Sequence, residues 1–163
     1  MPWPRYNAGA HPTSVDRLLW HRREMTYRDL KAWQAAVDLS IVVFETVRVF
    51  PWREARDLSD QMRSAAVSVP SNIAEGIGRF SYRDQRQFMY RARGSLFELA
   101  TQLEMARRLR FISPECAERL EKDVARVGQL LNGLVRYFSR QAKLEESGKG
   151  VKRLRPKKPP GVD

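Results

Sequence analysis

Five arginines, Arg79, Arg83, Arg86, Arg91 and Arg93, crowd one short stretch of the chain and are opposed locally only by Asp84. A guanidinium is a flat fork of N–H donors that can grip a phosphate through two parallel hydrogen bonds or stack on the face of an unpaired base. Arginine outnumbers lysine by 23 to 7 over the whole chain, so that geometry is favoured throughout. Arg107 and Arg108, with Arg110, form a second group further on, and Lys152, Arg153, Arg155, Lys157 and Lys158 a third near the C-terminus. On a helix the side chains of Arg83, Arg86 and Arg93 project away from the apolar face and are placed to meet a ligand. The same arginines can also line an ordinary solvated face, bridging Glu98, Glu104 or a neighbouring subunit.

Residues for other chemistry do not assemble. The two histidines, His11 and His21, lie in the N-terminal extension, so no His-x-x-x-His or Glu-x-x-His set falls on a helix and no Ser-His or Cys-His pair is evident. Cys116 has no cationic neighbour to activate it and reads as a packed or half-exposed structural thiol. Glu75 and Glu104 lack the histidine partners that a di-metal bundle needs, and Glu75 is expected to pair with an arginine of the adjoining turn. Gly76-Ile-Gly78 follows a helical pattern instead of a strand and has no Lys-Ser/Thr after it, so it is no phosphate loop. The expectation is a non-enzymatic protein without metal or cofactor.

Four helical patterns must position these groups. The first runs from about Asp29 to Val49, with Leu30, Trp33, Val37, Phe44 and Val47 as its apolar face and Pro51 beyond its end. The second begins near Glu54 and carries Met62, Ala65, Ala66, Val69 and Ile73 at helical spacing, interrupted by Pro70. Proline offers no N–H to the carbonyl of Ala66 and crowds it, so the helix is expected to kink or restart there, with Ser64, Ser68 and Ser71 bonding the freed groups. Ser81 caps the third helix with Asp84 three residues on, and the helix continues to about Arg108. Ser113-Pro114-Glu115 opens the fourth with a cap, a first-turn proline and an acid at the positive dipole end, and Leu120, Val124, Val127, Leu131, Leu134 and Phe138 continue it at alternating four-and-three spacing.

The third helix carries two apolar stripes. Phe88, Ala92, Leu96, Leu99, Leu103 and Ala106 share one side and must be core, while Tyr90 and Phe97 fall nearly opposite, beside Gly94 and Thr101. Burial of each ring is worth about 1.5–3 kcal/mol, and small neighbours permit close helix approach, so Tyr90, Gly94, Phe97 and Thr101 read as a subunit interface. Scattered surface aromatics are the alternative.

The chain fits one domain at 163 residues, and its net charge of +11 is concentrated at the ends. Residues 1–28 hold five basic and two acidic side chains, residues 140–163 eight and three, and the stretch between them seventeen and fourteen. We therefore divide it into a basic, poorly ordered extension at 1–26, a four-helix bundle at 27–140 and a disordered basic tail at 141–163, leaving both Met1 and Met25 open as the start. The tail reads either as a phosphate-attracting arm or as a solubilising one. A lone cysteine fits a reducing compartment, and no apolar run reaches membrane-span length or forms a signal peptide, which points to the cytoplasm and no membrane partner.

Three segments carry a resemblance. Tyr27-Arg-Asp-Leu-Lys-Ala-Trp-Gln34, Ser68-Val-Pro-Ser-Asn-Ile-Ala-Glu-Gly76, and Arg91-Ala-Arg-Gly-Ser-Leu-Phe-Glu-Leu99 with Gln102-Leu-Glu-Met-Ala-Arg-Arg-Leu109 resemble, in order, the four-helix-bundle proteins encoded in intervening sequences of bacterial 23S ribosomal RNA genes. That family is also similar to the accessory protein of diversity-generating retroelements. The resemblance implies an all-α, antiparallel up-down bundle, a ring-shaped homo-oligomer, often a pentamer, with nucleic acid as partner, RNA in preference to DNA, and a reverse transcriptase as a further one. The contrasting expectation is a structural protein-protein interaction module whose charge serves solubility. A membrane-surface role is disfavoured because no helix joins a lysine-rich face to a broad apolar one.

Overall fold

Leu30 ends a short 3₁₀ turn, Tyr27–Asp29, whose backbone is tied by Thr26: its N–H donates to Asp29 Oδ2 at 2.8 Å, and the Asp29 N–H reaches the Thr26 carbonyl at 3.1 Å. This is where the described part of the chain begins, for the structure, a computed structural model, describes residues 26–148. Four α-helices follow: α1 at Lys31–Val47, α2 at Trp52–Ile77, α3 at Tyr82–Arg108 and α4 at Pro114–Glu146, and no strand occurs among the described residues. The N-terminal extension, with His11 and His21, and the basic tail residues Lys152, Arg153, Arg155, Lys157 and Lys158 lie outside them.

Short connections make neighbours antiparallel, and cross-helix pairs fix the direction. Ser40 and Phe44 of α1 meet Ala66 and Arg63 of α2, so one number rises as the other falls. Ser68 of α2 meets Ser95 of α3, and Gly76 meets Met89. Arg93 and Tyr82 of α3 likewise meet Asn132 and Glu145 of α4. Contacts of α4 with α1 close the four-helix bundle. Its centre is filled by Val43, Met62, Val69, Ile73, Met89, Leu96, Leu99, Leu120, Val127, Leu131 and Phe138, all essentially inaccessible to solvent.

The α3 core stripe is buried at each expected position, from Phe88 to Ala106. Both expected caps form: Ser81 Oγ accepts from the Asp84 N–H at 3.0 Å, and Ser113 Oγ from the Cys116 N–H at 3.2 Å. The face of α1 differs. Ala32, Ala35, Ala36, Leu39, Val43 and Val47 are buried, whereas Trp33 and Val37 are only half-buried and Phe44 is exposed. Alanines win the inward positions because they let α1 lie close to its neighbours, and the larger side chains are turned to the flank.

Helix α2 passes through Pro70 as one element and does not restart. The carbonyl orphaned by the proline, that of Ala66, accepts from Ser40 Oγ of α1 at 2.7 Å. Of the local serines, Ser71 Oγ donates to Val67 O at 2.8 Å, and Ser68 shares a hydroxyl bond with Ser95 at 2.8 Å. A long-range donor therefore satisfies the group that the local serines were expected to reach.

Helix α4 also continues past the expected boundary at 140, to Glu146, so residues 141–146 are helical. Gln141 and Ala142 are buried there, and Glu145 Oε2 accepts from the Tyr82 N–H at 3.2 Å. The apolar stripe alone did not reveal this extension, because its last turn is held by docking onto the start of α3.

Candidate nucleic-acid interface

The turn between α2 and α3 brings Arg79, Arg83 and Arg86 to one end of the bundle, while Arg91 and Arg93 lie further along α3. Gly78 N–H closes α2 on the carbonyls of Ala74 and Glu75, Arg79 N–H reaches Gly76 O at 3.1 Å, and Gln85 Nε2 clamps the turn by donating to Arg79 O at 2.8 Å. Gly76 is buried against α3, and a Cβ there would stand 2.6 Å from Met89 Cε and 2.8 Å from Phe88 Cβ. Only glycine permits that approach without movement of a neighbour. The start of α3 is held in turn by Tyr82, whose ring lies 6.2 Å from that of Phe138 and 6.5 Å from that of Tyr137. Burial, then the neighbouring Tyr82, pushes the Tyr137 hydroxyl up to about 12.

Within this frame the arginines have different fates. Arg79 pairs with the carboxylate of Glu75, the contact expected for that acid, and its guanidinium carbon lies 4.6 Å from the Phe88 ring centre. Arg91 approaches the same ring at 4.7 Å. Arg93 lies 5.0 Å from the Tyr90 ring centre, with Nη1 at 3.4 Å from Asn132 Oδ1. Arg83, which is exposed, and Arg86, which is half-buried, form no ion pair with any described residue. Asp84, the local acid, is engaged by Ser81, whose hydroxyl stands 2.6 Å from its Oδ2.

The far end of α3 is arranged otherwise. Arg107 donates from Nε and Nη2 to the two Glu104 oxygens at 2.6 and 2.7 Å, and Arg108 Nε donates to the same carboxylate at 2.7 Å. Those bonds, Arg107 before Arg108, hold the Glu104 carboxyl well below its usual range, at about 2. Arg110 takes a left-handed backbone, φ 59°, and the Phe111 N–H returns to Ala106 O at 2.9 Å while the Arg110 N–H reaches Arg107 O at 3.1 Å. This pair of bonds is the Schellman ending of a helix, with arginine where glycine is usual.

Two apolar surfaces flank these charges. Tyr90, Gly94, Phe97 and Thr101 form the outward stripe of α3, all exposed, and Met105 extends it. No atom lies within 4 Å of a Cβ built on Gly94, and Thr101 turns its hydroxyl back to Phe97 O at 2.9 Å. On the other flank, Tyr27, Trp33, Val37, Ile41, Phe44, Val67 and Pro70 line a groove of about 580 Å³ between α1 and α2. The sequence signal for it was present in the four-residue spacing of Trp33, Val37 and Ile41, but that stripe competed with an alanine stripe of weaker contrast. Phe80 was also missed as a surface feature: it lies between Arg79 and the Ser81 cap and belongs to no helical face. Cys116 is half-buried at the start of α4. Among the described residues no group of three or more acidic, histidine or cysteine side chains is placed to hold a metal ion, and no helix is long and apolar enough to cross a membrane.

Comparison with known proteins places this geometry. The structure is similar to the crystal structure of a protein of unknown function from the S23 ribosomal protein family of Bacteroides thetaiotaomicron, with a TM-score of 0.57 at 18% identity, covering 64% of this chain and 97% of that one. The likeness is one of fold. A search among curated proteins gave no match. The family model of the 23S rRNA-intervening sequence protein matches residues 28–133, which span 3₁₀ turn, α1, α2, α3 and most of α4, and the chain belongs to that family.

Proposed function

We propose that this protein is a non-enzymatic RNA-binding bundle that acts as a ring-shaped homo-oligomer, a pentamer, and serves in the cytoplasm as an accessory factor, with a reverse transcriptase as a further partner. The observation that carries the reading is the pair Arg83 and Arg86, which project from the first turns of α3 with no acid among the described residues to neutralise them. The family name, that of a protein encoded within a ribosomal RNA gene, supports RNA over DNA. The outward stripe of Tyr90, Gly94, Phe97 and Thr101 supplies the subunit contact in this reading, and repetition about a ring multiplies a modest charge per chain into a strong field. A bend of α2 at Pro70 belongs to the same reading.

The test is binding of structured RNA as a function of salt. Each phosphate neutralised contributes about −0.7 to −0.9 to the slope of log affinity against log salt, so several arginines per site give a steep dependence. Reversal of Arg83, Arg86 and Arg93 to glutamate abolishes binding, whereas removal of residues 149–163, which leaves α4 whole, only lowers affinity and flattens the slope. Binding that survives the reversal and vanishes with the tail moves the site to the tail. A second reading, a protein-protein interaction module, is favoured by the exposed stripe of α3 and the groove between α1 and α2, and absence of RNA binding at low salt selects it.

A further inference from the structure

Phe80 has a relative exposure of 104%, against 80% for Val49 and 62% for Phe97, the next most exposed large apolar residues described. A ring held fully in water forgoes about 1.5–3 kcal/mol of burial, and nothing in the turn needs it, since the backbone there is fixed by other groups. Those groups make the ring's base rigid: the Arg79 carbonyl preceding Phe80 accepts from Gln85 Nε2, and Ser81, which follows it, caps α3. The turn thus presents an aromatic face on a pinned backbone.

Its surroundings select the occupant. Arg79 precedes the ring, and Arg83 and Arg86 follow it in the first turns of α3. The acids nearby are engaged, Glu75 by Arg79, Asp84 by Ser81 and Glu145 by the Tyr82 N–H. A partner that fits brings a flat apolar face together with negative charge, and an unpaired nucleotide joins both. Bases in a duplex have their faces covered by their neighbours, so along its length a duplex offers phosphates, 2′-hydroxyls and base edges but no free base face. We infer that Phe80 is a stacking platform for an unpaired base, with Arg83 and Arg86 holding the adjoining phosphates, so that the protein prefers single-stranded or looped RNA to duplex. This rests on the RNA-binding reading above.

The experiment titrates the full-length protein with a 12-nucleotide single-stranded RNA carrying 2-aminopurine and with a blunt RNA duplex of equal charge. Phe80→Ala should weaken single-strand binding by about 5- to 100-fold, the usual range for losing one stacked base, while leaving duplex affinity and the salt slope unchanged because no charge is removed. Phe80→Tyr should restore single-strand affinity, and 2-aminopurine fluorescence should fall on binding to the unaltered protein but not to Phe80→Ala. Equal affinity of Phe80→Ala for the single strand overturns the inference and leaves the RNA-binding reading standing. An equal loss on both RNAs overturns it as well, and a lower sedimentation mass for Phe80→Ala does so by assigning the ring to a subunit contact. Binding of neither RNA by the unaltered protein at low salt overturns both.

Discussion

The two ends of α3 carry similar numbers of arginines and use them in opposite ways. At the end near Arg108, two guanidiniums converge on Glu104, so their charge is partly offset within the helix. At the start, Glu75 takes up Arg79 alone and Asp84 turns to the cap, which leaves Arg83 and Arg86 without an acid among the described residues. Formal charge overstates what the far end can offer a polyanion and describes the near end well. The difference arises from spacing: Glu104 stands three and four residues before its arginines, the separations at which helix side chains meet, whereas Asp84 adjoins Arg83 and lies two residues from Arg86.

The sharpest way to break this contrast is to reverse equal charge at each end. Arg83→Glu with Arg86→Glu should lower RNA affinity by about 100-fold or more, taking about 1.5–3 kcal/mol for each charge-assisted contact, and should flatten the salt slope by about 1.5. Arg107→Glu with Arg108→Glu changes net charge by the same amount and should cost less than about fivefold. Electrophoretic mobility shift at two salt concentrations reads both. Equal losses would mean that the overall field, and not the arrangement at the start of α3, governs binding.

The backbone at the two ends offers a second contrast, of about 1–3 kcal/mol. Gly76→Ala drives a methyl group toward the Phe88 Cβ, which cannot yield as the far end of Met89 can, and should destabilise the bundle by about 1–3 kcal/mol. At the far end the residue with the left-handed backbone is Arg110, and Arg110→Gly should stabilise by about 1 kcal/mol by removing the Cβ conflict of that conformation. Chemical denaturation of the two variants measures both signs, and a stabilised Gly76→Ala would show that α2 and α3 separate easily at the turn.

Legibility in the sequence followed the range of the interactions. Stripes with strong contrast, such as Phe88 to Ala106, and caps with local partners, Ser81 and Ser113, were readable because each depends on residues three or four apart. The inward face of α1 was not, since alanine is chosen by the distance between helices and carries little hydrophobic contrast of its own. The passage of α2 through Pro70 depends on Ser40, 26 residues before the Ala66 carbonyl that it bonds, and no local pattern names that donor. The end of α4 was missed for the same reason: Gln141 is buried and Glu145 receives the Tyr82 N–H only because the chain has turned back between α3 and α4. Of the candidate site, the arginines were legible as a cluster, but their division into engaged and free members required the carboxylates' geometry.

Glu104 gives the smallest effect and the most direct check on that division. Its folded value near 2, set against an ordinary 4.5, is a depressed carboxylate, so its contribution to stability is present above about 4.5 and is lost as pH falls from there toward 2. The group is open to solvent, and the contribution is accordingly small and shrinks further with added salt. The stability difference between the unaltered protein and Glu104→Gln should therefore narrow steadily over that pH range, and a difference that is constant with pH would mean the carboxylate's charge contributes nothing. The same substitution bears on binding. Glu104→Gln removes the charge that Arg107 and Arg108 share, so both guanidiniums become available to phosphate, and RNA affinity at neutral pH should rise by about two- to threefold while the salt slope steepens. If the affinity rises with Glu104→Gln and stays fixed when Arg107 and Arg108 are reversed in the parent, the far end is held out of the interface by its own acid. If neither changes, the surface at that end faces away from the RNA altogether, and the asymmetry of α3 is set by the direction in which the turn at Phe80 points.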